Sequence, residues 1–192
     1  MPQETPAPSA RQTELLEAAY RYALTHGLTD LSLRPLAEAI GSSPRVLLFL
    51  FGSKDGLIRA LLARARTDEL ALLDRVGHPT RPVGLAPAVE RVWAWLAARE
   101  HRPLLRLWAE AYTRSLVHPD GPWTGFARTT VEDWLGVLAD CQSPSEREGP
   151  DAAIRRTLAL AVLRGALLDL LATDDEQRLT EAVAHQVALL GD

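Results

Sequence analysis

Apolar positions recur every three or four residues along most of the chain, which is the spacing of amphipathic helices. The first stripe runs from Thr13 to His26 and stops at Gly27, a residue type that commonly closes a helix. Two short apolar segments follow, and each is preceded by a serine that can cap a helix, Ser32 and Ser43. Pro44 then stands at the first helical position, where proline is favoured.

A long helix is predicted from Asp55 to about Val76, followed by a proline-rich loop at 77–87. Further helices are predicted at about 88–100, 103–116, 123–140, 151–172 and 175–190, with breaks at 119–122 and 143–150. No segment shows the alternation of a strand, so we expect an all-α fold of about nine helices. Residues 1–9 contain three prolines and no periodicity, and we expect a disordered tail there.

The net charge of −4 excludes a protein that binds nucleic acid through an overall positive field. Residues 1–75 contain nine basic and nine acidic residues, whereas 76–192 contain twelve and sixteen. Binding to DNA would therefore need a local positive face in the N-terminal part. The single cysteine, Cys141, excludes an internal disulfide and a cysteine metal site. No secretion signal or membrane span is visible, so we expect a cytoplasmic protein without a membrane partner.

The two short helices, joined by Gly41 and Ser42 after one longer helix, form a candidate helix-turn-helix. In such a motif the first short helix braces the second. The second presents its N-terminal residues to base edges in the major groove of DNA.

The stretch Leu15–Leu62 resembles the DNA-binding region of the TetR family of bacterial transcription regulators, in one register and without a gap. The matching positions are Leu16, Ala18, Ala19, Gly27, Ser32, Leu33, Arg34, Leu36, Ala37, Ala39, Gly41, Ser43, Leu47, Phe51, Ser53, Lys54, Leu57, Leu61 and Leu62. A second segment, 163–171, is similar to the penultimate helix of the family.

The resemblance implies a helix-turn-helix DNA-binding domain, here 10–54, and a helical ligand-binding and dimerisation domain, here 55–192. It implies a regulator, in our interpretation a repressor, that binds a palindromic operator in double-stranded DNA as a homodimer and is released by a small-molecule effector. The five histidines show no metal-ligand spacing, and no catalytic motif is visible, so we expect no metal, no cofactor and no enzymatic activity.

The resemblance also implies roles for DNA-binding residues. Arg34 would meet DNA at the start of the bracing helix, and Lys54 would contact a phosphate. The residues that would lie in or over the major groove are Ser42, Ser43, Pro44 and Arg45. Arginine is the commonest reader of guanine, which favours base reading by Arg45 over a phosphate contact or a solvated side chain.

The chain departs from the family pattern at Leu48, where tyrosine is usual, and at Leu50, where histidine is frequent. Leucine cannot donate a hydrogen bond to a phosphate, although Leu48 can contact a thymine methyl group. This departure motivates an alternative function, a ligand-binding helical dimer with weakened or lost DNA binding.

Five tryptophans lie beyond residue 90, in the part where the family senses small molecules. As ligand-binding residues we predict Trp93, Trp108, Tyr112 and Trp134, with plain core packing as the alternative. Arg106, Glu110 and Arg114 recur every four residues and are predicted to form a solvated ion-pair ladder, a ligand-binding cluster being the alternative.

The segment Ala159–Leu171 is apolar almost all round, which indicates burial on every side. We therefore predict that this helix and the last helix pack against their copies as a four-helix bundle, burial within one subunit being the alternative. The predicted interface residues are Leu158, Val162, Gly165, Leu168, Val183 and Val187. In the second short helix, Leu47, Phe49 and Phe51 are predicted to face the core.

Overall fold

The computed structural model describes residues 9–77, 82–118 and 120–191, and every regular element within these ranges is helical. The α-helices are α1 Ala10–His26, α2 Leu33–Ala39, α3 Pro44–Phe51, α4 Lys54–Gly77, α5 Leu85–Ala97, α6 Arg102–Val117, α7 Phe126–Asp140, α8 Pro144–Arg147, α9 Ala152–Thr173 and α10 Glu176–Gly191. Short 3₁₀ turns at Arg99–His101 and Gly121–Trp123 precede α6 and α7. The all-α prediction is confirmed, and the predicted break at 143–150 contains the single turn of α8.

Serine side chains set the starts of the N-terminal helices. The Ser43 hydroxyl accepts the backbone N–H of Val46, and the Ser53 hydroxyl accepts that of Gly56. Ser9, which is predicted to lie in the disordered tail, instead caps α1 by accepting the N–H of Gln12. Ser32 stands at the cap position of α2 but makes no side-chain capping bond. The remainder of the predicted tail, residues 1–8, lies outside the described residues.

The hydrophobic interior consists of two clusters. The first joins α1, α2, α3 and the first half of α4, and it also takes in Leu107 and Ala111 of α6 and Trp123. The second joins α5, α6, α7, α9 and α10. Because α4 and α6 contribute to the first cluster, that core extends beyond residue 54, and the division of the chain at 54 stays a prediction.

A polar network fastens α1 to α4 beside the first cluster. Arg64 pairs with Glu17 and with Asp68, and its guanidinium lies 4.8 Å from the ring centre of Tyr20. The Tyr20 hydroxyl donates to Asp68 Oδ2 at 2.9 Å. Burial, reinforced by this hydrogen bond, raises the pKa of Tyr20, while the two carboxylates raise the pKa of Arg64. The middle of α4 is therefore joined to α1 by charged groups as well as by apolar packing.

No helix within the described ranges has the length and apolar character needed to cross a membrane.

Candidate nucleic-acid interface and internal cavity

Helices α2 and α3 form the helix-turn-helix that the spacing predicted. The turn between them has Gly41 at φ +64°, a conformation that favours glycine, and the Ser42 N–H donates to Ala37 O at 2.8 Å. Leu36 and Leu47 point into the first hydrophobic cluster and hold the two helices together. The packing fixes the orientation of α3 from its inner face, which leaves its other faces for a partner.

The first turn of α3 lies on the surface. Arg45 is exposed, the Val46 side chain is 38% exposed, and Pro44 is partly exposed. Ser43 is partly buried and serves as the cap, while the Ser42 Oγ is buried without a hydrogen-bond partner among the described residues. A helix that offers its N-terminal turn in this way can approach the edges of stacked bases.

Two exposed cations flank this turn. Arg34 at the start of α2 and Lys54 at the start of α4 line one shallow depression, together with Pro44 and the 29–33 segment. One acidic side chain, Asp30, shares this depression. The clustering of the two cations beside the first turn of α3 supplies the local positive face that the charge distribution required.

The outer face of α3 is apolar. Leu48 is 40% exposed and Phe49 is 86% exposed, whereas Leu47 is 1% exposed. The prediction that Phe49 faces the core is wrong, because residues 47 and 51 are four apart and share the inner face while residue 49 lies opposite them. Leu50 is partly buried, and its carbonyl accepts the side-chain amide of Gln12 at 3.1 Å.

An internal cavity lies between α4, α5, α6, α7 and α9, where the two hydrophobic clusters meet. The space open to water centres is about 40 Å³, which is room for a few water molecules. Most of its wall is apolar, formed by Leu62, Ala65, Leu96, Leu104, Leu105, Leu107, Ala111, Phe126, Leu160, Leu163 and Leu167. A ligand of ordinary size would have to move part of this wall.

Several charged groups of the cavity wall are paired with one another. Arg66 of α4 pairs with Glu69 at 2.7 Å and with Asp133 of α7. Glu69 is buried, and its Oε1 also accepts the indole N–H of Trp134 at 2.7 Å. This arrangement satisfies a carboxylate that would otherwise be costly to bury, and it joins α4 to α7.

Other polar groups of the wall have no such partner. The Nε1 atoms of Trp95 and Trp108 and the Oγ1 atom of Thr130 are buried without a hydrogen-bond partner among the described residues. Arg164 of α9 donates to the Tyr112 hydroxyl at 3.0 Å and lies 5.3 Å from that ring centre.

The four predicted ligand-binding residues are placed differently from one another. Trp108 and Trp134 line the cavity. Tyr112 lies behind the wall, stacked on Trp108 with ring centres 4.9 Å apart. Trp93 is not among the residues that line this cavity, and its indole N–H donates to Thr180 of α10 at 2.9 Å. We had not predicted Trp95, Arg66, Glu69 or Arg164, although charged residues within apolar helical stripes were a signal that the sequence contained.

Glu110 of α6 contacts the DNA-binding part directly. Its carboxylate accepts the N–H of Leu28 at 2.9 and 3.1 Å and the hydroxyl of Thr29, both in the turn between α1 and α2. The predicted ladder of Arg106, Glu110 and Arg114 is therefore wrong for Glu110. Its neighbour Trp108 lines the cavity, so one turn of α6 touches both candidate sites.

The predicted dimer residues divide into two groups. Leu158, Gly165 and Leu168 are exposed on α9, and Val162 is partly buried. Val183 and Val187 are 1% and 7% exposed in this single chain, within the second cluster that α10 shares with α5 and α9. The prediction that these two valines face a second subunit is wrong, because their stripe is covered inside the protomer.

Two further findings concern reactive groups. Burial raises the pKa of the Cys141 thiol, which disfavours the reactive thiolate form. The described residues contain no group of three or more His, Cys, Asp or Glu side chains arranged to hold a metal ion.

The geometry defines a class, a DNA-binding helix-turn-helix protein with a helical body. Residues 15–61 match the family described as bacterial regulatory proteins, tetR family. The HTH-type transcriptional regulator BetI of Brucella anthropi is 28% identical over 151 residues, which are 68% of this chain and 78% of that protein. In its helix-turn-helix part the chain is therefore similar to the tetR family of bacterial regulatory proteins, and over most of its length it is similar to a transcription regulator of that kind.

Solved structures agree in fold. A transcriptional regulator from Rhodococcus sp. Rha1 superposes with a TM-score of 0.76 at 22% identity, over 93% of this chain and 95% of that one. The multidrug binding protein EbrR, complexed with proflavin, gives a TM-score of 0.63 at 23% identity, over 92% of this chain and 99% of that one.

Proposed function

We propose that this regulator is a cytoplasmic repressor that binds a palindromic operator as a homodimer and leaves it when a small molecule enters the helical body. The observation that carries the proposal is the exposed first turn of α3 beside one depression that is lined by the two exposed cations Arg34 and Lys54. The proposal includes no enzymatic step. It keeps 10–54 as the DNA-binding domain and 55–192 as the ligand-binding and dimerisation domain.

Arg45 is the proposed base reader, because it is exposed on the first turn of α3 and its planar guanidinium matches the two acceptors of guanine. Arg34 and Lys54 contact backbone phosphates of the duplex, and these contacts set the register of α3 in the major groove. Leu48 stands where the family usually has a phosphate donor, and together with the exposed Phe49 it offers apolar area, which suits thymine methyl groups in the same groove.

The proposed dimer uses an apolar stripe on α9. Its members recur at intervals of three and four residues and are all exposed: Ile154, Leu158, Ala161, Gly165, Leu168 and Ala172. A Cβ built on Gly165 would meet nothing within 4 Å in the same chain, so this position faces outward and permits close approach of a partner helix. Two copies related by a two-fold axis would present their α3 helices to successive major grooves, ~34–36 Å apart.

The position of the cavity between the two clusters supports the proposal of ligand release. Since the cavity has room for only a few waters, a bound ligand displaces wall residues on α4 and α6. Helix α4 begins with Lys54 at the DNA face, and α6 holds the turn before α2 through Glu110. A ligand that favours the displaced walls lowers DNA affinity through that preference alone. EbrR, which shares the fold, is described in complexes with proflavin and with imidazole.

The test is selection of bound sequences from random duplexes with the full-length protein. We expect a two-fold symmetric consensus whose affinity falls as salt rises. Arg45→Ala should relax the consensus at one position of each half-site, while Arg128→Ala, an exposed arginine on α7, should leave it unchanged. A consensus that survives Arg45→Ala would assign base reading to other residues.

The alternative, a ligand-binding dimer that does not bind DNA, is favoured by leucine at positions 48 and 50. Leucine side chains cannot donate to phosphates, and each lost neutral contact reduces binding by about 0.5–1.5 kcal/mol. Absence of salt-dependent duplex binding, in a protein that still gains thermal stability from a small molecule, would establish the alternative.

A further inference from the structure

The polar atoms of the cavity wall include more donors than acceptors. The indole nitrogens of Trp95 and Trp108 are buried and have no acceptor among the described residues. An indole N–H can only donate and has no alternative tautomer, so each of these groups is satisfied only by an acceptor. A buried donor left in this way destabilises the fold, and an incoming acceptor removes that penalty.

Positive charges likewise exceed negative charges in the cavity wall. Arg66 is compensated by Glu69 and Asp133, and Glu69 is occupied further by the Trp134 indole. Arg164 differs, because its partner is the neutral Tyr112 hydroxyl. No carboxylate in the described part of the chain lies within ion-pair distance of Arg164.

We propose that the cavity binds a monocarboxylate with an apolar body. This inference rests on the proposed ligand-sensing function and names its ligand class. The carboxylate is received by the Trp95 and Trp108 N–H groups and by Arg164, and its apolar body packs on the leucines of α6 and α9. Charge-assisted bonds to a carboxylate are stronger than bonds to a neutral acceptor, which favours the acid over its amide or ester.

A cationic ligand fits the same cavity less well. The tryptophan faces could attract a cation, but Arg66 and Arg164 would repel it at short range. The wall's single carboxylate, Glu69, is already shared by Arg66 and Trp134. A cation would also leave both indole N–H groups unsatisfied.

The position of these donors ties the ligand to the DNA-binding part. Trp108 lies two residues before Glu110, whose carboxylate holds the backbone of Leu28. Because the cavity has room for only a few waters, a carboxylate with a six-carbon or larger body has to displace part of the wall around these donors from its observed place.

The experiment uses the full chain without DNA. Two carboxylates, 3-phenylpropionate and octanoate, are each compared with the matched amide and the matched primary amine. Calorimetry gives the affinities, and ¹H–¹⁵N spectra follow the indole signals, assigned through single Trp→Phe variants. We expect each carboxylate to bind at least 10-fold more tightly than its amide or amine. The Trp95 and Trp108 signals should move downfield, while that of Trp93, which donates to Thr180, should stay in place.

Variants separate a ligand role from a structural one. Arg164→Gln should weaken the carboxylate at least 10-fold and leave the amide unchanged, and Arg164→Lys should restore part of the difference. Trp108→Phe should lower carboxylate affinity, whereas Trp93→Phe, which removes an indole N–H outside the cavity, should not. Unfolding temperatures measured on the same samples show whether each variant remains folded.

Tighter binding of the amines, or no indole shift with either carboxylate at 10 mM, would overturn the proposal. So would carboxylate preference that persists in a folded Arg164→Gln variant. The experiments distinguish this inference from the proposed function. Carboxylate binding without duplex binding would contradict the proposed repressor and support the carboxylate site. Duplex binding without carboxylate binding would support the repressor and contradict the carboxylate site.

Discussion

Glu110 offers the sharpest test of how the helical body supports the DNA-binding part. Its half-buried carboxylate accepts the Leu28 N–H and the Thr29 hydroxyl, and Glu110→Ala removes both bonds at once. Hydrogen bonds to a charged group contribute about 1.5–3 kcal/mol each. After a discount for the partial exposure of this site, we expect a total loss of about 2 kcal/mol.

That loss has two measurable consequences. For a chain of this length, 2 kcal/mol lowers the unfolding temperature by about 4–8 °C. Local opening of the turn between α1 and α2 should increase about 30-fold, since 1.4 kcal/mol corresponds to a factor of ten. Hydrogen exchange of the Leu28 amide reports that opening directly, because Glu110 is the acceptor of this N–H.

Two matched variants complete the experiment. Glu110→Gln keeps one oxygen acceptor and loses the charge, so it should fall between wild type and Glu110→Ala. Arg106→Ala, an exposed position one turn earlier on α6, should change neither the unfolding temperature nor Leu28 exchange. If Glu110→Ala behaved like Arg106→Ala in both measurements, α6 would not hold this turn, and the proposed route from cavity to DNA face would have to run through α4 alone.

Three further predictions test the DNA face, the dimer and the α1–α4 junction. Phe49→Ala should change the free energy of unfolding by less than about 0.5 kcal/mol but weaken operator binding about 10-fold, because this side chain is exposed. Leu47→Ala, at a buried position of the same helix, should lower the free energy of unfolding by about 2–5 kcal/mol. Unchanged operator affinity in Phe49→Ala would show that this side chain does not contact DNA. Leu168→Glu should raise the dimer dissociation constant about 100-fold in sedimentation, whereas Leu116→Glu, a control at an exposed leucine of α6, should not. A dimer that survives Leu168→Glu would exclude the α9 stripe. Because burial raises the pKa of Tyr20, the neutral phenol stabilises the fold fully below pH 10, and this contribution is lost as the pH rises further. In denaturant titrations between about pH 10 and 12, the free energy of unfolding should therefore fall more steeply for wild type than for Tyr20→Phe. Parallel curves would contradict a raised pKa of Tyr20.

Local chemistry accounts for the parts of the fold that were predictable. Ser43 with Pro44 marks the start of α3, and glycines at positions 27, 41 and 52 stand where helices end, so these boundaries follow from caps and backbone preferences within a few residues. The helix-turn-helix is therefore readable from spacing alone. The same spacing also contained the correct orientation of Phe49, since residues two apart cannot share one helix face.

The long-range contacts could not be read in this way. Trp93 and Trp95 are two residues apart on α5, and only packing shows that Trp95 faces the cavity while Trp93 meets Thr180 of α10. The partner of Glu110 lies 82 residues earlier in the chain, in a turn that periodicity does not connect with α6.

The sequence by itself determined where the N-terminal helices begin and end and which of them form the helix-turn-helix, because those features depend on neighbours a few residues away. Tertiary structure alone decided which apolar stripe is covered inside the protomer. The stripe with Val183 and Val187 is buried within the chain, while that with Leu158 and Leu168 is left exposed. Both stripes have the same periodicity, and hydrophobic burial is non-directional, so only the three-dimensional arrangement of helices selects between them.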